Sequence, residues 1–122
     1  MSTIGGPRSI FASLRAARCV GRASRLCDRG ELDQAHAAAQ EGLSILRHRS
    51  VHRQSPAAAS ALASLTVMAE ESASPGQGGA AVEDIVDSLR FLRSLTGSPE
   101  PELCQWIPFL EARLLAKTAG AA

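Results

Sequence analysis

Five arginines recur along the first quarter of the chain at intervals of three, four, three and four: Arg15, Arg18, Arg22, Arg25 and Arg29. On a helix that spacing lines them along one face. Guanidinium groups stay charged and grip carboxylates or phosphates through paired N–H donors. Their mutual repulsion calls for something anionic: an acidic partner protein, a phosphate-bearing surface, or the chain's own acidic half. The alternative is a hydrated helix face, because arginine is a good helix former and mostly lies in water. Arg47, His48, Arg49, His52 and Arg53 form a second basic cluster. It would suit phosphate or an acidic peptide, or mark the charged end of a helix entering a loop. It has no aromatic neighbours to stack on bases, so nucleic acid is not an expected partner.

The other chemistry-bearing types form no reactive pattern. His48 and His52 are four apart, but no third ligand and no intervening glutamate completes a metal motif. Cys19, Cys27 and Cys104 make an odd set without a short-spaced pair, which fits a reducing compartment better than a disulfide framework. Cys19 and Cys27 fall on the apolar side of their helix as filler, and Cys104 falls in a short linker before Trp106. Glu83 and Asp84 suit a helix start, where carboxylates meet the positive end of the dipole. Gly76, Gly78 and Gly79 follow a helix rather than a strand, so they are no dinucleotide loop. The expectation is no catalytic residue, no metal and no cofactor.

At 122 residues the chain is expected to be a single domain with a core of its own. Alanine is abundant, tyrosine is absent, and Phe11, Phe91, Trp106 and Phe109 are the only aromatics, a composition that favours helices. Residues 1–9 read as a flexible lead, 10–118 as one helical domain, and 119–122 as a frayed tail. Helices are expected from Ser9 or Ser13 to Arg29, Leu32 to His48, Pro56 to Glu71, Ala80 to Thr96, and Trp106 or Ile107 to Ala116. Gly30 and the 72–79 segment form the turns, and Ser55-Pro56 is a start signal. Leu32, Val82 and Val86 are expected to point inward, and Pro108 to sit in a first turn. Residues 1–53 carry nine arginines against four acids, and the remainder four basic side chains against eight acids. The halves would therefore attract, within one chain or between two. No apolar run approaches a membrane span.

A spaced pattern occurs twice. Ala23, Gly30, Ala35, Gly42, Leu43 and Leu46 recur 46 residues later as Ala69, Gly76, Ala81, Ser88, Leu89 and Leu92. Small residues permit close helix approach, glycine makes the turn and leucines fill the remainder. The first copy resembles a tetratricopeptide repeat, most clearly at Asp28-Arg29-Gly30-Glu31-Leu32-Asp33-Gln34-Ala35. The second copy matches less closely. The separation exceeds the family's usual repeat of about 34 residues, and the family's large aromatic is replaced by Leu26 and Ser72.

The resemblance implies an all-α fold of two stacked helix–turn–helix hairpins with a C-terminal capping helix, a short tetratricopeptide-like solenoid; a generic helical bundle is the alternative. It further implies a groove lined by the first helix of each hairpin, with Ala17, Val20, Ser24 and Cys27, then Ala63, Thr66 and Glu70. A partner helix or peptide would lie there, making the protein a non-catalytic adaptor or scaffold. The alternative is a subunit of a larger helical assembly, docking through the arginine face. Trp106 and Phe109 are expected to pack in the core, with a surface for self-association as the alternative. Cytoplasmic placement follows from the thiols. Residues 1–27, rich in arginine and free of acids, also suit a mitochondrial or plastid transit peptide, whose removal would cost the first repeat a helix.

Overall fold

A computed structural model describes residues 6–47, 56–73, 78–95 and 101–120, with the side chains of 14–47, 56–73, 78–95 and 105–119. It contains α1 (Gly6–Asp28), α2 (Leu32–Arg47), α3 (Pro56–Ser72), α4 (Val82–Ser94) and α5 (Pro101–Gly120), and no strand among the described residues. Helices α1 and α2 form one hairpin and α3 and α4 a second. The hairpins stack through α3, which packs on both α1 and α2, while α5 closes against α4 and α3. None of these helices is long and apolar enough to cross a membrane.

The first turn follows from one glycine. Gly30 has φ +77, a left-handed conformation open to a residue without a Cβ. Its N–H bonds to the Cys27 carbonyl at 3.0 Å, and the Glu31 N–H reaches back to the Leu26 carbonyl at 2.9 Å. This is a Schellman closure, which satisfies the last carbonyls of α1 before α2 begins. Pro56 opens α3 because its fixed φ suits a first helical position.

The repeated small and apolar positions make the seams. Ala23, Ala69, Ala35, Leu43 and Leu46 are wholly buried, and Leu89 and Leu92 almost so. Gly42 marks the tightest crossing: a Cβ there would lie 2.9 Å from the Cys19 Cβ and 2.6 Å from a Leu65 methyl. The second copy departs at Ala81, which is exposed and precedes α4, while Ala80 takes the buried place. Leu62, Leu65, Ile85 and Leu110 complete the core. Each such side chain contributes about 1.5–3 kcal/mol on burial.

Several boundaries and faces differ from expectation. Helix α1 starts at Gly6, within the supposed lead, because Pro7 in a first turn forfeits no hydrogen bond. Helix α5 starts at Pro101, which places Cys104 inside a helix rather than in a linker. Pro108 therefore stands in the helix interior, not its first turn. Its ring is exposed, so it displaces no core side chain there. Leu32, Val82 and Val86 are exposed at 47%, 40% and 36% instead of pointing inward. On α4 the buried stripe turns toward Asp84 and Ser88, each of which meets a polar partner across the interface. His48, Arg49, His52, Arg53, Ser55, Gly76 and Gly97 lie outside the described residues.

Candidate functional site

The outer face of α1 is set by periodicity. Ala16, Cys19 and Ala23 turn into the core, so Arg15, Arg18, Arg22, Arg25 and Arg29 all emerge on the exposed side. Arg22 donates to Glu41 of α2 at 3.1 Å. No carboxylate among the described residues lies within salt-bridge reach of Arg15, Arg18, Arg25 or Arg29. Arg47, expected as part of the basic face, stays exposed at 51% but donates at 2.6 Å to Asp84, whose side chain is 4% exposed. That pair ties α2 to α4 and joins a residue of the basic half to one of the acidic half. It also gives Asp84 a role beyond opening its helix.

Beside the Arg22–Glu41 pair, the buried Cys19 thiol donates to Glu41 at 3.7 Å and accepts from Arg22 at 3.8 Å. Burial and then the Glu41 carboxylate push its pKa above the ordinary thiol value of 9.0. Burial, then Glu71 and Asp28, raise Cys27 likewise. Both thiols remain protonated, and so weakly nucleophilic, at neutral pH. Because the folded-state pKa is the raised one, the associated stability is fully present below about pH 9 and falls as pH rises through the folded value. Alkylation of Cys19 and Cys27 by iodoacetamide at pH 8, read peptide by peptide, should run at least about tenfold slower in native than in urea-unfolded protein. Equal rates would show the thiols to be open.

The residues expected to line a groove differ in exposure. Ala17 and Ser24 are exposed, and Val20 and Cys27 half-buried. Ala63, Thr66 and Glu70 are at most 4% exposed and cannot line an open groove. The reason is the position of α3, which is enclosed by the other helices. Thr66 accepts a hydrogen bond from Ser88 of α4 at 3.1 Å. The Glu70 carboxylate accepts from the Ala80 backbone N–H at 2.7 Å and from Lys117 of α5 at 3.0 Å, with Arg113 Nε at 3.9 Å.

A buried polar cluster also escapes the sequence reading. Ser72 donates its one proton to the Met68 carbonyl at 2.6 Å, so it accepts from His36 Nδ1 at 3.3 Å. Nδ1 then carries the proton, and Nε2 accepts from Gln40 at 3.5 Å. Gln40 also donates to the Gly79 carbonyl at 2.8 Å. A serine beside a histidine suggests nucleophilic chemistry, yet here the hydroxyl proton is spent on a backbone carbonyl and both side chains are buried. The cluster instead joins α2 and α3 to the turn before α4. Its one sequence signal is a histidine and a serine on faces otherwise made of alanine and leucine. No group of three or more His, Cys, Asp or Glu suited to a metal occurs among the described residues.

On α5, Leu110 is buried while Trp106 and Phe109 are half-buried against the core. Arg113 lies over the Phe109 ring at 5.0 Å. The more exposed apolar side chain on that helix is Leu115. Compared with protein-family models, with curated proteins and with solved structures, the chain matches none.

Proposed function

We propose that this chain is a non-catalytic interaction module, a tetratricopeptide-like adaptor or scaffold that docks an acidic partner protein on the outer face of α1. The observation that carries this reading is the set of exposed arginines: four of the five have no carboxylate within salt-bridge reach among the described residues. Like charges held in a row destabilise the chain slightly. An acidic partner would relieve that repulsion and would be steered to the face at an enhanced rate. Contact of α3 with both helices of the first hairpin supports the tetratricopeptide-like description. The adaptor reading shifts from the groove to the arginine face because half of the groove's expected lining is buried.

A transit peptide at residues 1–27 fits poorly with this packing, since cleavage would strip Ala16, Cys19 and Ala23 from the core. The proposal places the chain in the cytoplasm, on the strength of its odd cysteine count.

The test compares cross-linked partners recovered from the native cell by the parent protein, by Arg15→Glu/Arg18→Glu/Arg25→Glu, and by Ala17→Arg/Ser24→Arg. The charge reversal should lower recovery by roughly tenfold or more with an unchanged helical spectrum. Unchanged recovery by the reversal, together with loss in the Ala17/Ser24 variant, would move the site to the groove and refute the charged-face reading.

A further inference from the structure

Resting on that docking reading, we infer that the occupant of the arginine face is a single amphipathic helix, laid along α1 with its carboxylates three and four residues apart. The unneutralised charge gives the occupant its sign, and the spacing gives its form. Arg15 to Arg29 covers fifteen residues, whose fourteen steps of 1.5 Å reach about 21 Å. The interval averages 3.5 against 3.6 residues per turn, so the row drifts by about 20° per heptad and winds left-handedly around α1. A second helix crossing at about +20° follows that winding and keeps its own row opposite over all four turns.

One residue before each arginine runs a parallel line: Leu14, Ala17, Gly21, Ser24 and Asp28. All of them are exposed except half-buried Gly21. The small side chains at 17, 21 and 24 let a neighbouring backbone approach to about 8 Å, at the near end of helix packing distances. Charge on the flank and small residues in the seam are the two parts of a helix–helix contact with flanking ion pairs. An anionic bilayer would need several bulky apolar side chains to insert beside the arginines, and in this line Leu14 alone is one, exposed at 52%, while Ala17, Gly21, Ser24 and Asp28 are not. A nucleic acid strand would want aromatic platforms, which the described part of this face lacks.

The inference predicts dependence on register, not on charge alone. The probe is a synthetic helical peptide of about 21 residues with glutamates at intervals of three and four beside an alanine–leucine seam. Its control has the same composition with the glutamates spread around the helix. Fluorescence anisotropy should show the ordered peptide binding roughly tenfold tighter than the control. Arg15→Glu/Arg18→Glu/Arg25→Glu should lose both peptides. Gly21→Leu should lose the ordered peptide while keeping the weak, salt-sensitive binding of the control. An added Cβ at Gly21 meets only the Arg25 guanidinium at 3.5 Å, so the fold tolerates the site being filled, and circular dichroism checks this. Equal affinity for the two peptides would overturn the inference, as would tighter binding of a thymidine oligonucleotide or of phosphatidylserine vesicles. If native partners still depend on the arginines while the peptide register does not matter, acidic docking stands and the helical occupant falls.

Discussion

Replacing Glu70 with alanine is expected to lower the unfolding free energy by about 3 kcal/mol, read by urea denaturation. The Glu70 side chain is 3% exposed and holds three elements at once: its own helix α3, the Ala80 N–H before α4, and Lys117 on α5. Without the carboxylate, the buried Ala80 N–H loses its acceptor, which costs about 1–3 kcal/mol. The ammonium adds less than a fully buried pair would, because Lys117 is 28% exposed and can turn to water. Glu70→Gln should lose only about half as much, since its amide oxygen still accepts from Ala80. Gly79→Ala approaches the same site from outside: a Cβ on Gly79 would run into the Glu70 carboxylate, already held by its other partners. In the Glu70→Ala background that second change should become nearly neutral, a coupling that a double-mutant cycle measures. A loss below about 0.5 kcal/mol for Glu70→Ala would show that the carboxylate does not hold these elements together.

Gly42→Leu should be the most damaging single substitution, removing more than about 3 kcal/mol and a well-ordered native state. The site lies where α2 crosses both α1 and α3. A Cβ alone would come within 2.9 Å of the Cys19 Cβ and of one Leu65 methyl, and within 2.6 Å of the other. The leucine methyls can swing aside, but the Cys19 Cβ moves only with its backbone. Gly42→Ala would gain about 1 kcal/mol of helix propensity and lose more to crowding, leaving it destabilised by roughly 1 kcal/mol. Gly78→Ala is the matched control, with nothing within 4 Å of an added Cβ. Thermal melts of the three variants should rank Leu below Ala below the control; any other order would mean that the crossing is looser than described.

Much of the architecture is legible in the sequence. Gly30, Pro56 and the leucine spacings in α2 and α4 are local signals, and local signals report hairpins well. The arginine face was legible for the same reason, because a face turned to water needs no tertiary partner to define it. What escaped depended on partners distant in sequence. Glu70, Thr66, Ser72, His36 and Asp84 are polar, so polarity alone sends them outward. Each is buried because another element supplies a matching donor or acceptor. Val82, Val86 and Leu32 were displaced outward in exchange. Ala63, Thr66 and Glu70 are buried on this account too, since the enclosure of α3 follows from where α4 and α5 settle. Pro108 misplaced the start of α5 because its exposure, which makes the proline tolerable, cannot be seen in the sequence.

Stacked hairpins ordinarily fray from their ends, each unit resting only on the one beside it. Glu70 strengthens one such junction, because its carboxylate joins the second hairpin to the final helix through Lys117. The closing helix is therefore expected to fray less readily than an end unit held by apolar contact alone.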